Sequence, residues 1–317
     1  MTDASQHPGL TRIAWARSGR NVGILLTILA ICGGCRSPWT GTNTDLAKSS
    51  QWIEQGMAAQ RDGSFAQAHK LLNSAVQTRP KDPVLRENLA DTLVQQGDLK
   101  GAISQLSHAV EISGNDARLS VKLGQLHLQS GSWLAASQYA KRALDADRNS
   151  AEAWALRAET KLAKGQLSES LADFQRALSH QQRYPEVQFK VAQIQQLLGR
   201  PMRSFSAVEQ LLHQMPIQQQ PESALLLAGN LLIELKQPAQ AIEKLQIAAS
   251  RPQASEASFI ALSSAQLAIG QPSQARLTLA RAKQIHPSSA QIANRLAELR
   301  DDASQIASLE RADVITR

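Results

Sequence analysis

The chain has 317 residues, 43% of them apolar and 19% charged, with a formal net charge of +7. The excess is uneven: residues 1–48 carry +3, while 49–184 and 185–317 carry +2 each, so most of the chain is close to balanced. No basic stripe with interleaved aromatics is present, which argues against a nucleic-acid partner. Both cysteines, Cys32 and Cys35, lie near the N-terminus, so the remainder has no thiol and no disulfide.

Residues 1–20 are polar and carry Arg12, Arg17 and Arg20. An apolar run of 11 residues follows, Val22 to Cys32, and then Gly33-Gly34-Cys35. The run is short for a membrane span of about 20 residues. A basic start, a short apolar centre and small residues after it describe a secretory signal. The ending Gly33-Gly34-Cys35 resembles a bacterial lipoprotein signal, with Cys32 where that family usually has Leu. The resemblance implies a signal segment over 1–35 with lipidation at Cys35, which becomes the new N-terminus. An uncleaved anchor and conventional cleavage are the alternatives. Each places 36–317 outside the cytoplasm, and lipidation makes the chain a membrane-anchored lipoprotein of the cell envelope facing the periplasm. Residues 36–48 are polar and turn-rich and read as a tether. Cys32 and Cys35 form a Cys-x-x-Cys within an apolar leader, and Arg36 stands where haem attachment needs His, so neither redox nor haem chemistry is expected.

From Ser49 onward glycine recurs every 34 residues: Gly63, Gly97, Gly131, Gly165 and Gly199. Lys236 takes the next place after a three-residue insertion, and Gly270 the one after that. A fixed period of this size means a stack of repeated units rather than one central core. With Ser49 as position 1, positions 8, 20 and 27 are small in nearly every cycle, for example Gly56, Ala68 and Ala75. Position 24 is apolar throughout, from Leu72 to Leu279. Small residues let two helices approach closely, Gly at position 15 suits the left-handed end of a first helix, and Pro201, Pro238 and Pro272 at position 17 suit the first turn of a second.

This pattern resembles the tetratricopeptide repeat family over seven units: 49–82, 83–116, 117–150, 151–184, 185–218, 222–255 and 256–289. The family's large residue at position 4 is present as Trp52, Trp154 and Phe259. The resemblance implies an all-α fold, a right-handed superhelical solenoid of helix-turn-helix repeats. Arg157 at position 7 and Leu211 at position 27 depart from it, and the insertion Gln219-Gln220-Pro221 is the expected place for a kink or loosened joint. Ala293, Leu296, Ala297 and Leu299 continue at helical spacing, so 290–311 reads as a capping helix over the last open face, with 312–317 a flexible tail.

No catalytic constellation is present. The seven histidines fall at different repeat positions without metal-ligand spacing, and neither Asp145/Asp147 nor Asp301/Asp302 can converge on one point. No cofactor, metal or small-molecule substrate is expected. His127 is expected to pack inside its own helix pair and the other histidines to be solvated. Trp133 and Trp154 read as core anchors.

By resemblance to the family, the first helices line a concave face that binds protein or peptide partners. Repeats two to four present Asn88, Asp91, Arg118, Lys122, Gln125 and Glu159 there, with Glu87 and Glu152 beside them. Repeats five to seven present Phe189, Gln193, Leu226, Asn230, Ile260 and Ser264, with Leu197. The face therefore passes from charged to more apolar, which suits an extended or helical peptide, although packing against the neighbouring helix would equally account for the apolar residues. Some family members clamp a C-terminal carboxylate with five polar residues. Asn88, Arg118 and Lys122 match three of those places, while Ile53 and Met57 occupy the other two. The expectation is a non-enzymatic scaffold serving assembly of a multiprotein envelope complex. The alternative is an accessory subunit of an envelope enzyme complex, such as a glycosyltransferase or peptidoglycan assembly.

Overall fold

The computed structural model describes residues 40–114 and 116–299, with side chains from Ala47 onward. The expected signal with Cys35, the distal half of the expected cap and the tail 312–317 lie outside the described residues. Within them are fourteen complete α-helices, a 3₁₀ turn and a last helix over 290–299, and no strand. The helices form seven hairpins: α1 (Thr40–Arg61) with α2 (Phe65–Thr78), α3 (Pro83–Gln95) with α4 (Leu99–Ser113), α5 (Ala117–Gln129) with α6 (Trp133–Ala146), and α7 (Ala151–Ala163) with α8 (Leu167–His180). Then come α9 (Pro185–Leu197) with α10 (Pro201–His213), α11 (Glu222–Glu234) with α12 (Pro238–Ala249), and α13 (Glu256–Ala268) with α14 (Pro272–Ile285).

Six of the seven first helices begin at the first residue of their repeat. The exception is α1, which starts at Thr40 and takes in most of the segment expected as a tether. Asp45, Leu46, Ala47 and Lys48 carry no Gly or Pro to stop it, so the helix extends backward through them.

The hairpin turns share one hydrogen bond. The N–H of position 16 donates to the carbonyl of position 11 in all seven, from Ser64 N to Ala59 O at 2.8 Å through Gln271 N to Gln266 O at 2.9 Å. That six-to-one closure needs a left-handed residue at position 15. Gly63, Gly97, Gly131, Gly165, Gly199 and Gly270 all have φ between 67° and 80°, and Lys236 is forced to φ 62°. Side chains cap the first helices: Asp82, Asp116, Ser150 and Ser255 each accept a backbone N–H two or three residues on.

The hairpins close because positions 8 and 20 are small. Every residue at positions 20, 24 and 27 is buried to 1% exposure or less. A Cβ added at Gly229 would lie 2.4 Å from the Leu245 side chain, so position 8 touches position 24 across the hairpin. Where position 20 is serine, its hydroxyl is satisfied inside the hairpin: Ser170 donates to Ala158 O at 2.8 Å and Ser204 to Ala192 O at 2.7 Å. Leu211 finds room among the small Ala192, Ala224 and Ala228.

The three-residue insertion is pinned rather than loose. Residues Ile217–Gln219 form the 3₁₀ turn, and Arg251 of the following repeat donates to Gln218 O (2.6 Å), Ile217 O (2.8 Å) and Gln220 O (2.9 Å). Other junctions are held by a comparable device: Arg142 donates to Gly114 O, and His286 Nε2 lies 2.8 Å from Ala254 O. The final helix buries Ile292 and Leu299 against the last hairpin, while Leu296 is partly buried and Ala297 is exposed. Ser289 caps that helix and donates to Glu256 at 2.7 Å, and Arg276 holds Leu299 O at 2.8 Å.

Candidate functional site

Positions 2, 5 and 9 of a first helix fall on one side, and positions 4, 8 and 11 turn toward the second helix. The charged half of the first-helix face is already engaged. Arg118 donates two hydrogen bonds to Glu87, one of them at 2.7 Å. Lys122 Nζ lies 2.9 Å from Glu87 Oε1 and 2.7 Å from the Asp91 carboxylate. Two cations therefore neutralise two carboxylates across α3 and α5. The Arg118 hydrogen bond, helped by Lys122, outweighs burial and holds the Glu87 carboxyl below its ordinary range. Any partner carboxylate would have to displace Glu87 and Asp91 from Arg118 and Lys122. Asn88 offers its backbone carbonyl to Gln60 Nε2 at 3.0 Å. Gln125 is exposed and lines a groove of about 910 Å³ with Arg118, Val121, Lys122, Glu152 and His180.

Glu159 is different. It is partly buried with no hydrogen-bond donor among the described residues, and burial pushes its carboxyl up, opposed by the charge of Lys190. Farther along, Phe189, Leu226 and Ile260 are half-buried and pack against the neighbouring core. Leu197 stays 66% exposed and Asn230 is exposed. Gln193 is partly buried, and Ser264 is engaged, donating to Ile260 O and receiving Arg295 at 3.2 Å. The apolar half of the face is thus open mainly around Leu197 and Asn230.

Inside the hairpins lies a second polar layer, of which only the packing of His127 within its own helix pair was expected from the sequence. Position 11 meets position 23. His127 stacks on Tyr139 with ring centroids 5.4 Å apart, Lys161 lies 2.7 Å from Asp173, and Thr278 donates to Gln266 at 2.9 Å. Burial holds the His127 imidazole below its usual value. Asp173 also takes Arg157 bidentately, at 2.8 and 2.7 Å, which accounts for Arg157 at a normally apolar position. Burial pushes the Asp173 carboxyl up, but the hydrogen bonds from Arg157 and Lys161 together outweigh it and hold it down. A carboxylate at position 23 facing cations at positions 7 and 11 was readable in the repeat register.

Of the two expected aromatic anchors only Trp154 is one. The guanidinium groups of Arg157 and Arg176 lie over its ring, 4.3 and 4.7 Å from the centroid, and its N–H donates to Arg148 O at 2.8 Å. Trp133, the first residue of α6, is 47% exposed, whereas Leu99 and Leu167 at the same position 17 are partly buried against the core. His286 was expected in solvent but is partly buried, with its ring edge-on to Phe259. Among the described residues no group of three or more His, Cys, Asp or Glu is arranged to hold a metal, and no helix is long and apolar enough to cross a membrane.

A family model described as tetratricopeptide repeat matches residues 59–120 and 93–160. A TPR repeat-containing thioredoxin from Arabidopsis thaliana, TTL4, is 29% identical over 99 residues, which is 31% of this chain and 14% of that protein. The chain thus matches a small part of the curated relative's length. Among solved structures, a tetratricopeptide repeat protein from Parabacteroides merdae superposes with a TM-score of 0.56 at 16% identity, covering 80% of this chain and 99% of that one. PilF of Pseudomonas aeruginosa gives 0.58 at 15% identity over 71% and 99%. PilW, described as a type IV pilus biogenesis factor, gives 0.59 at 18% identity over 68% and 98%. Likeness at this level of identity speaks for the fold, and no catalytic family is indicated. Residues 59–160 thus match the tetratricopeptide repeat model, and the described body is an all-helical solenoid with the fold of tetratricopeptide repeat proteins.

Proposed function

We propose that this protein is a non-enzymatic scaffold, tethered to a bacterial cell envelope through Cys35, that gathers protein partners along its first-helix face. The observation that carries the reading is the division of that face. Repeats two and three spend their charges on one another, while repeat five leaves Leu197 in solvent one turn after Gln193, and repeat six leaves Asn230 exposed on the same helix face. An exposed apolar residue flanked by amides on a prebuilt helical surface suits a peptide segment, and a rigid surface lowers the ordering cost of binding it. The basic leader, its short apolar run and Gly33-Gly34-Cys35 support the envelope tether. PilW, similar in fold, is described as a pilus biogenesis factor, and envelope assembly is the class of work proposed here.

Crosslinking the intact protein in its native envelope tests the reading. A defined set of attached proteins, lost in Leu197→Glu, is expected, and background attachment alone would remove the proposal. The tether has its own test: a radiolabelled fatty acid is expected to enter the wild-type chain and to be absent from Cys35→Ser.

A further inference from the structure

Position 18, the second residue of each second helix, is exposed in all seven repeats, and in five of them it is Ala, Ser or Lys. Repeats three and five have Leu134 and Met202 there, 71% and 63% exposed. Neither serves the core. Trp133 stands beside Leu134 and is itself 47% exposed, although Leu99 and Leu167 at its own position 17 pack inward. Three large apolar side chains thus stand in water at hairpin turns, where no packing requires them.

Charge is also used differently at the two ends of the hairpins. At the junction loops between repeats, arginines are engaged in the fold. Arg79 donates to Ser50 Oγ at 2.9 Å, Arg142 to Gly114 O at 2.8 Å, and Arg251 to three carbonyls of the insertion. At the hairpin turns of repeats four to six stand Lys164, Arg200, Arg203 and Lys236, all exposed. None of these four has an ion pair or side-chain hydrogen bond among the described residues. Two acids share the same turns: Glu169, which lies 3.7 Å from Lys161, and Glu234. The turns therefore present cations in excess, interleaved with exposed apolar groups.

We propose that the hairpin turns of repeats three to six dock on the surface of an anionic phospholipid bilayer. Trp133, Leu134 and Met202 enter the interface, and the four cations meet lipid phosphates. Charge complementarity selects an anionic surface, and the apolar groups select one with an apolar layer beneath its charges. Tryptophan suits that boundary, because its ring is apolar and its N–H can face the headgroups. The apolar groups project from separate hairpins, and a fluid surface accommodates them without a matched pocket. The contact is superficial, since no helix among the described residues is long and apolar enough to cross a membrane. It goes beyond the tether at Cys35, which holds the chain near a bilayer without orienting it. Positions 2, 5 and 9 of the first helices take no part, so they remain available to protein partners.

Full-length protein bound to vesicles of phosphatidylcholine and phosphatidylglycerol, brominated on their acyl chains, provides the test. Bromine quenches tryptophan at contact range, and subtracting Trp133→Phe isolates Trp133 from the other four tryptophans. Quenching of Trp133 is expected in wild type, and also in Cys35→Ser at higher lipid concentration, so tether and docking surface can fail separately. Leu134→Glu, and the pair Arg200→Gln with Arg203→Gln, should each lower the quenching about twofold or more. All three residues are exposed, so the melting temperature should not move. An unquenched Trp133 in protein that sediments with the vesicles would overturn the proposal and leave the tether standing. Protein that does not sediment would overturn both. Equal quenching in phosphatidylcholine alone, or quenching that survives the arginine pair, would overturn the anionic bilayer as occupant. So would a photoactivatable amino acid in place of Leu134 that crosslinks, in the native envelope, to protein and not to lipid.

Discussion

Repeats four and five share a backbone and fill it with different chemistry. In repeat four the inner layer is ionic: Arg157 and Lys161 converge on Asp173, and the two guanidinium groups of Arg157 and Arg176 cover Trp154. In repeat five the same places hold Val191, Gln195, Ala207, Gln210 and Gln188. Gln195 at position 11 faces a methyl group instead of a partner, and its Oε1 is buried without a donor. The backbone tolerates both because positions 8, 20, 24 and 27, which set the helix spacing, are equally buried in the two repeats. The packing positions define the fold, and positions 4, 7, 11, 23 and 26 are free to specialise.

The largest expected effect tests what the two repeats share. Ala177 lies fully buried at position 27 of repeat four, at the junction with repeat five. Ala177→Arg places an unpaired charge there and should cost about 4 kcal/mol or more. A denaturant melt unchanged from wild type would refute the register. Next comes the ionic layer. Asp173→Ala leaves Arg157 and Lys161 facing each other, both less than one-third exposed, and should cost about 3 kcal/mol. Ala207→Leu in repeat five breaks no such network, and a comparable loss there would erase the distinction between the repeats.

The same contrast carries a pH signature. The folded pKa of Asp173 lies below its ordinary 3.8, so its contribution is complete above that value and is lost as pH falls through the folded one. Glu159 has the opposite sign. Its folded pKa is raised, so the folded chain holds its proton longer, and stability falls as pH rises through the window above 4.5. Asp173→Ala should flatten the acid limb of a stability–pH curve, and Glu159→Gln should raise the neutral plateau relative to wild type. If Glu159→Gln lowers the plateau, the carboxylate has a donor in solution and the assignment is wrong.

The architecture was legible in the sequence because it rests on residues with few substitutes. A left-handed hinge wants Gly, and a helix–helix contact without room for a side chain wants Gly, Ala or Ser, so both recur visibly at fixed spacing. The polar layer was harder to read, because its partners vary from repeat to repeat. His127 with Tyr139, Lys161 with Asp173 and Gln266 with Thr278 share a place and no common residue type. Trp133 misled for a related reason: its size and repeat position suggested burial, as Leu99 and Leu167 show at the same position 17, but its own side chain is 47% exposed. On the first-helix face, residue types were readable and pairing was not. Arg118 and Lys122 looked available until Glu87 and Asp91, one repeat earlier, were found holding them.

The smallest expected effect isolates the backbone from everything else. Lys236 is the one non-glycine residue with positive φ among the described residues, at 62°, in the hinge that six other hairpins build with glycine. A left-handed conformation costs a residue with a Cβ about 1–2 kcal/mol. Glycine gives back roughly 0.5–1 kcal/mol of this through its greater freedom when unfolded. Lys236→Gly should therefore stabilise the α11–α12 hairpin by about 0.5–1 kcal/mol. Gly199 provides the reverse experiment in repeat five: its φ is 67°, and an added Cβ would meet nothing within 4 Å, so Gly199→Lys carries the backbone cost alone. Hydrogen exchange of the two hairpins reads both changes locally, which suits a stack whose stability is a sum over neighbouring units. Protection should rise in α11–α12 for the first variant and fall by a similar amount in α9–α10 for the second. Unequal magnitudes would mean that the Lys236 side chain, and not its backbone, sets the difference.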